Sequence, residues 1–239
     1  MPGYFFEGIQ YEQPLPRLFI YKIIPMKKLI PLFAATACLA AACKDKGTPE
    51  PEPEHYDNYT QLKVGNYWVY QIFDVDSLGQ GPPLNEYDSC SITKDTIING
   101  NRYYYLSSSI PLSEKIFNQW LRDSLHYLVD DAGRVRFSSK DVTTVFSTGV
   151  ITMGSTDTVA LSKEQMENGV TYCNTPAGLY ATLDFKTTYE MHAGYQLFGA
   201  HRYMHQRHAK DIGIVSATLP FFASQLRYRE RRLIRYHLN

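Results

Sequence analysis

The sequence has no excess of charge of either sign: 24 Lys and Arg residues balance 24 Asp and Glu residues. A neutral chain gives no electrostatic reason to expect binding to nucleic acid or to an acidic partner. The sequence also lacks a nucleophile elbow, a phosphate-binding loop, a dinucleotide fingerprint and a zinc-protease motif. These absences lower the expectation of an enzyme, and the sequence implies no cofactor.

Long apolar runs are missing as well, since the stretch 29–39 is too short to span a membrane. This stretch follows the basic pair Lys27 and Lys28 and precedes the small residues 40–42. Basic, apolar and small segments in that order are typical of a secretory signal peptide. We therefore predict a signal peptide in residues 26–42.

The residue after the predicted signal peptide is Cys43. Its position resembles the lipobox of bacterial lipoproteins, which implies that its thiol receives a diacylglyceryl group and that it becomes the new N-terminus. The lipobox prefers Leu three positions before the cysteine, where this chain has Ala40. Cys38, which also follows small residues, is therefore a rival lipidation site.

The segment 43–56 is charged and rich in Pro and Glu, so we expect a flexible tether between the lipid and a folded domain at 57–239. Two acyl chains suffice for stable membrane anchoring. Residues 1–25 fit no targeting class, and we interpret them as a non-native extension before an initiator at Met26. The predicted location is the bacterial cell envelope, as an outer membrane lipoprotein facing the periplasm or the surface.

The domain is predicted to be mostly β, because it is rich in aromatic residues and alternates apolar with polar positions. Trp68, Tyr70 and Ile72 are expected to face inward. Asn99–Gly100 and the segment 130–133 predict hairpin turns. Ser162, with Gln165 three residues later, predicts a short helix at 163–168.

Four motifs resemble a group of uncharacterised Gram-negative lipoproteins: Gly-Asn-x-Trp-x-Tyr at 65–70, Asn-Gly within 98–106, Pro-Ala-Gly-x-Tyr at 176–180 and Ile-Gly-x-Val at 212–215. The resemblance implies a single, strongly curved antiparallel sheet or half-barrel with one or two short helices. This implied fold is similar to the half-barrels of lipoprotein carriers. The resemblance implies no activity.

Two cysteines, Cys90 and Cys173, remain outside the predicted signal peptide. In an oxidising envelope they either pair as a disulfide or stay as two separate buried thiols. A catalytic Cys–His pair is the third alternative, although no flanking motif supports it.

Histidines recur in the segment 201–208. On a helix, His201 and His205 would share one face and could bind a metal ion. The segment is predicted as a strand, in which these two are about 13 Å apart and His208 points to the opposite face. The sequence therefore favours surface histidines over a metal site.

The C-terminal strand is rich in arginine. Alternation places four arginines on one face: Arg227, Arg229, Arg231 and Arg235. The first interpretation is a solvated face with apolar arginine stems, and the alternative is a site for an anion such as a lipid headgroup or an acidic glycan. Asp184 and Glu190 also lie in predicted strands, but nothing in the sequence pairs them as a hydrolase dyad.

Three classes of function remain. The leading one is a noncatalytic envelope lipoprotein, held to the membrane by its lipid, whose concave sheet binds an apolar or amphiphilic ligand such as a lipid. The second is a surface module that binds glycan or an envelope protein, which predicts a filled interior. The third is an envelope hydrolase with clustered acids or a Cys–His pair in one cleft.

Overall fold

A computed structural model describes residues 54–109, 118–154, 157–220 and 227–239. The predicted signal peptide, both candidate lipidation cysteines and most of the predicted tether lie outside these ranges. Residues Tyr56–Asn239 belong to one compact unit. Within the described ranges, no helix is long and apolar enough to cross a membrane.

Thirteen antiparallel strands of the described residues form one sheet. They are β1 Tyr67–Val75, β2 Pro83–Ile98, β3 Asn101–Ser108, β4 Gln119–Ser124, β5 Tyr127–Asp130, β6 Val135–Ser138, β7 Ser147–Met153, β8 Asp157–Met166, β9 Thr171–Thr175, β10 Gly178–Met191, β11 His201–Ala209, β12 Gly213–Pro220 and β13 Tyr228–His237. A 3₁₀ helix, Ala193–Phe198, precedes β11.

The sheet consists of two meanders joined side by side. Its order is β6-β5-β4-β3-β2-β1-β13-β12-β11-β10-β8-β7, with β9 paired to β10 outside this path. The pairing of β1 with β13 brings the two ends of the domain together. The prediction of a single curved antiparallel sheet is confirmed.

The sheet nearly closes on itself, because its far ends approach each other. The amide of Ser138, the last residue of β6, donates a hydrogen bond of 3.3 Å to Sδ of Met166 on β8. The Phe146 amide, in the connection that follows β6, donates to the Glu164 carbonyl at 2.9 Å. Curvature of this kind gives the sheet an inner face and an outer face.

Both predicted hairpins are confirmed. Asn99 and Gly100 connect β2 to β3 with φ values of 49° and 78°, and a type I′ turn requires this left-handed conformation at both positions. Asp130 organises the β5–β6 turn, since its carboxylate accepts from the amides of Ala132 at 3.1 Å and Arg134 at 2.9 Å. Short-range turn chemistry therefore sets these connections.

The predicted helix at 163–168 is wrong. Residues Lys163–Met166 continue β8, which is hydrogen-bonded to β7 on one side and to β10 on the other. An isolated helix of one or two turns is marginal in water, whereas a central strand satisfies its backbone groups on both edges. Gly169 does mark a turn, with φ of 93°, between β8 and β9.

The inner face carries the main hydrophobic core. Trp68, Tyr70 and Ile72 are all buried, as predicted for the first strand. The Trp68 indole donates to the Ile212 carbonyl at 2.7 Å, and the Tyr70 hydroxyl donates to the Ile214 carbonyl at 2.9 Å. Residues near the two ends of the domain therefore meet through these side chains.

Gly213 permits that contact. Its φ is 98°, and a Cβ atom there would lie 3.2 Å from the Trp68 ring. The tight approach and the left-handed backbone together explain why glycine occupies this position.

Candidate functional site: a polar groove on the outer face

The outer face carries a row of polar side chains that runs across four strands. Register pairs Asp184 of β10 with Arg207 of β11, Arg207 with Ser216 of β12, and Ser216 with Arg232 of β13. Because side chains alternate along a strand, these residues face away from their buried neighbours Phe185 and Leu233. Antiparallel register therefore assembles four distant residues in one line.

Glu230, two residues before Arg232 on β13, connects the members of this row. Its Oε1 accepts from Ser216 Oγ at 3.0 Å and from Arg232 Nε at 2.7 Å. Its Oε2 lies 3.7 Å from Arg207 Nη1. A buried carboxylate is tolerated only where cations and hydrogen bonds compensate for lost hydration, and these three partners provide that compensation.

Asp184 forms a second buried acid beside it. Its Oδ2 is 2.7 Å from Nδ1 of His205 and 3.7 Å from Nε of Arg207. Because a carboxylate only accepts hydrogen bonds, His205 Nδ1 carries the proton and Nε2 remains an acceptor when the ring is neutral. The other oxygen, Oδ1, is buried without a hydrogen-bond partner.

A groove lies over this network. Two cavities of about 400 and 430 Å³ share Leu78, Gly79, His205, Arg207 and Glu230, so they form one continuous depression. The turn after β1 overlies it, and the Gly79 carbonyl accepts from Arg232 Nη2 at 2.7 Å. We call this depression the outer groove.

Aromatic side chains line both parts of the outer groove. Tyr203 lines the first cavity and is partly exposed, with Lys186 Nζ 4.4 Å from its ring centre. Tyr172 lines the second cavity and is 74% exposed. The groove therefore combines a charged floor with aromatic rings that remain accessible.

The floor is close to electrical balance. Two acids, Asp184 and Glu230, face two arginines, Arg207 and Arg232. Beside them, Glu167 is paired with Lys186 at 2.6 Å. A balanced floor offers hydrogen-bond donors and acceptors without a strong preference for a ligand of one charge.

Cys173 also lines the outer groove. Burial raises the pKa of its thiol above the usual value, and the nearby Arg207 guanidinium lowers that pKa only in part. The thiol is therefore protonated at neutral pH, which is unfavourable for a nucleophile. Cys173 and His205 share one groove, but no activated thiolate results.

Cys90 lies on the inner face instead. Its sulfur is 2.9 Å from Nη1 of Arg231, and burial raises the pKa of its thiol. Both Cys90 and Cys173 are free thiols in the structure. Of the alternatives taken from the sequence, the structure shows two separate buried thiols and no disulfide between them.

The predicted arginine face requires a correction. Arg231 is only 3% exposed and its Nη1 lies 2.9 Å from Asp88 Oδ2, so it is not part of a solvated face. A register shift opposite Val69 leaves Ile234 without a cross-strand partner. This bulge turns Arg235 to the face opposite Arg231, because one inserted residue reverses the alternation.

Arg227 and Arg229 have partly exposed side chains and are paired with acids. Arg227 Nε lies 3.1 Å from Asp74 Oδ2, and Arg229 Nη1 lies 2.8 Å from Glu86 Oε2. The charges of Arg227 and Arg229 are therefore offset by neighbouring carboxylates. The structure does not assemble Arg227, Arg229, Arg231 and Arg235 into one site.

The histidines occupy a strand, as predicted. His201 and His205 lie on the outer face, whereas His208 is fully buried on the inner face and donates from Nδ1 to the Tyr59 carbonyl at 3.2 Å. In the part of the chain that the structure describes, no group of three or more His, Cys, Asp or Glu side chains is arranged to hold a metal ion.

The interior offers little room for a ligand. Among the described residues, the cavity bounded by Trp68, Leu106, Leu128 and His208 has a volume of about 30 Å³. That volume suits a single water molecule. That cavity is too small for an acyl chain.

Sequence reasoning missed Glu230, Arg207 and Ser216 as site residues. Glu230 was visible as the one acid between the arginines at 227 and 235. No local pattern could show that it faces Ser216 and Arg207, since those contacts depend on the order of strands β11, β12 and β13.

No protein-family model matches the chain, and no curated protein matches its sequence. The fold is similar to the crystal structure of a candidate lipoprotein from Parabacteroides distasonis, with a TM-score of 0.41 and 9% identity over 77% of this chain and all of that one. It is also similar to a candidate exported protein with YmcC-like fold from Bacteroides fragilis, with a TM-score of 0.39 and 10% identity over 76% of this chain and all of that one. Neither description names an activity.

Proposed function

We propose that the protein is a membrane-anchored, noncatalytic binding module of the bacterial cell envelope, and that the outer groove is its ligand site. The observation that carries this proposal is the groove itself: two connected cavities of about 400 and 430 Å³ lie over a floor of paired acids and arginines and are bordered by Tyr203 and Tyr172. Ligand sites in proteins are concave and carry a few polar groups that fix the orientation of the ligand.

The small volume of the core cavity favours the outer groove over the concave face. A cavity of about 30 Å³ cannot admit a lipid without displacing several buried side chains. The second class of function, in which an outer surface binds the ligand, therefore agrees better with the geometry than the leading one does.

Hydrogen exchange of the full-length protein in detergent tests the site. The probe is the water-soluble fraction of an enzymatically digested Gram-negative envelope, and we expect it to slow exchange in β11 and in residues 76–80. Asn174→Trp fills the mouth of the groove from an exposed position and should abolish this protection. Ile97→Trp, at an exposed strand position outside the groove, is the matched control.

Protection that survives Asn174→Trp, or that is absent from wild type, would refute the outer groove as the site. Protection of the core strands by an organic lipid extract would instead restore the concave face as the ligand site.

Anchoring is tested at the predicted lipidation site. Cells fed an alkyne-labelled fatty acid should label the wild-type protein and the Cys38→Ser variant, whereas Cys43→Ser should lose the label. Loss of the label in Cys38→Ser alone would identify Cys38 as the lipidation site. Retention in both single variants and in the double variant would exclude lipidation at either cysteine.

A hydrolase is the second candidate, because Asp184 holds His205 at 2.7 Å in the arrangement that orients a general base. Under this alternative His205 Nε2 would activate water for attack on a bound ligand. Release of new small products from the envelope fraction by wild type, and its loss in His205→Asn, would support hydrolysis. Unchanged composition of the fraction favours the binding module.

A further inference from the structure

We infer that the outer groove binds a neutral oligosaccharide chain, with Tyr203 and Tyr172 as stacking surfaces at its two ends. This inference rests on the proposed function, and it adds the chemical class of the ligand. It follows from the shape of the groove, its charge balance and the kinds of side chain along it.

The shape of the groove suits a chain. Tyr203, His205 and Arg207 occupy alternate positions of β11 and all line the first cavity, so their side chains follow one another over about 13 Å. The second cavity continues past Arg207 to Asn174 and Tyr172. An elongated ligand can contact the whole line, whereas a compact one would reach only part of it.

The charge balance argues against a strongly charged ligand. Arg207 lies 3.7 Å from both Asp184 and Glu230, so its charge is already offset within the protein. An anion would compete with these acids, and a cation would compete with the arginines. A ligand with many hydroxyl groups needs neither, because each hydroxyl both donates and accepts.

The side chains provide the two kinds of contact that a sugar ring uses. Its C–H face packs on aromatic rings, and Tyr172 is available because most of its surface is exposed. Its hydroxyl groups pair with planar polar groups, of which the groove has the Asn174 amide, the His205 imidazole and the Arg207 guanidinium.

A protein partner fits less well. The buried centre of a protein interface is depleted of charged residues. The centre of this groove instead consists of an ion network, and its aromatic rings lie near the two ends.

Isothermal titration of the full-length protein tests the inference. The detergent should be lauryldimethylamine oxide, which contains no sugar. The probes are maltohexaose, cellohexaose, chitohexaose, mannohexaose and xylohexaose, with hexagalacturonate as the charged comparison. We expect at least one neutral hexasaccharide to bind, and to bind more tightly than hexagalacturonate.

Variants then locate the binding. Tyr172→Ala and Tyr203→Ala should each weaken binding about tenfold, whereas Tyr172→Phe should retain it because the ring is kept. Tyr87→Ala is the matched control, since Tyr87 is an exposed strand tyrosine outside the groove. Tyr172 has few contacts to lose, so its variant keeps the test valid if Tyr203→Ala disturbs folding.

The outcomes separate this inference from the proposed function. If no neutral hexasaccharide binds while Asn174→Trp still abolishes protection by the envelope fraction, the groove binds another class of ligand and the glycan inference fails alone. If hexasaccharide binding is insensitive to both tyrosine variants, the stacking surfaces are wrong. If neither probe engages the groove, both proposals fail.

Discussion

Arg231→Met should destabilise the domain strongly, because Arg231 neutralises a buried acid. Its Nη1 lies 2.9 Å from Asp88 Oδ2, its guanidinium carbon is 4.5 Å from the Tyr70 ring centre, and it is 3% exposed. Methionine keeps the apolar stem but removes the charge, so the buried Asp88 carboxylate loses its cationic partner. Breaking a buried ion pair in this way costs about 3 to 5 kcal/mol.

The lower end of that range is the expected value, since Asp88 keeps two donors. The hydroxyl groups of Ser108 and Ser109 donate to its Oδ1 at 3.0 and 3.2 Å. We therefore expect a loss of about 3 kcal/mol in the free energy of unfolding. Asp88→Asn in the same chain should recover part of that loss, because it removes the uncompensated charge.

Arg229→Met is the matched control on the same strand. Arg229 pairs with Glu86 at 2.8 Å, but the two side chains are 42% and 48% exposed. Ion pairs of this exposure contribute less than about 1 kcal/mol. Urea unfolding followed by tryptophan fluorescence measures both variants. Equal effects of the two substitutions, or a loss below about 1 kcal/mol for Arg231→Met, would refute the reasoning.

Three further predictions concern stability. Burial lowers the pKa of His208 to about 4. The unfolded chain therefore takes up the proton first as pH falls, and the free energy of unfolding of the wild type should fall by up to about 3 kcal/mol between about pH 6.5 and 4. A series of urea unfolding curves at different pH values should show this loss, and the His208→Asn variant should lack it. Gly213→Ala should lower the free energy of unfolding by about 1 to 3 kcal/mol, because a left-handed backbone acquires a Cβ against Trp68, and an unchanged thermal midpoint would contradict this. Asp130→Ala should cost about 1 to 3 kcal/mol in denaturant unfolding, because the turn loses the acceptor of its backbone amides, with Asp131→Ala, one residue further into the same turn, as the neutral control.

The inward face of the first strand and the hairpins were predictable because they depend on neighbours in the sequence. Alternation in the first strand placed Trp68 and Tyr70 inside, and Asn99–Gly100 specified its own turn. The helix at 163–168 failed for the converse reason. Its capping pattern is also local, but the pairing of β8 with β7 and β10 outweighed it.

The candidate site was predictable only in fragments. His205 and Cys173 were singled out from the sequence, and both line the outer groove. Their neighbours Glu230 and Ser216 were not singled out. Arg231 was predicted on a solvated face, because a linear pattern shows neither a bulge nor a buried partner. The concave face was expected to hold a ligand, and the structure shows buried aromatic and aliphatic side chains there with a cavity of about 30 Å³ among them.

By itself, the sequence determined the class of fold, the hairpin turns and the inward face of the first strand. Each of these follows from spacing over a few residues, at which backbone geometry acts directly. Only the tertiary structure decided which strands are neighbours, and therefore which charges are buried together. The row from Asp184 to Arg232 joins residues up to 48 positions apart, and no local pattern encodes which of them meet.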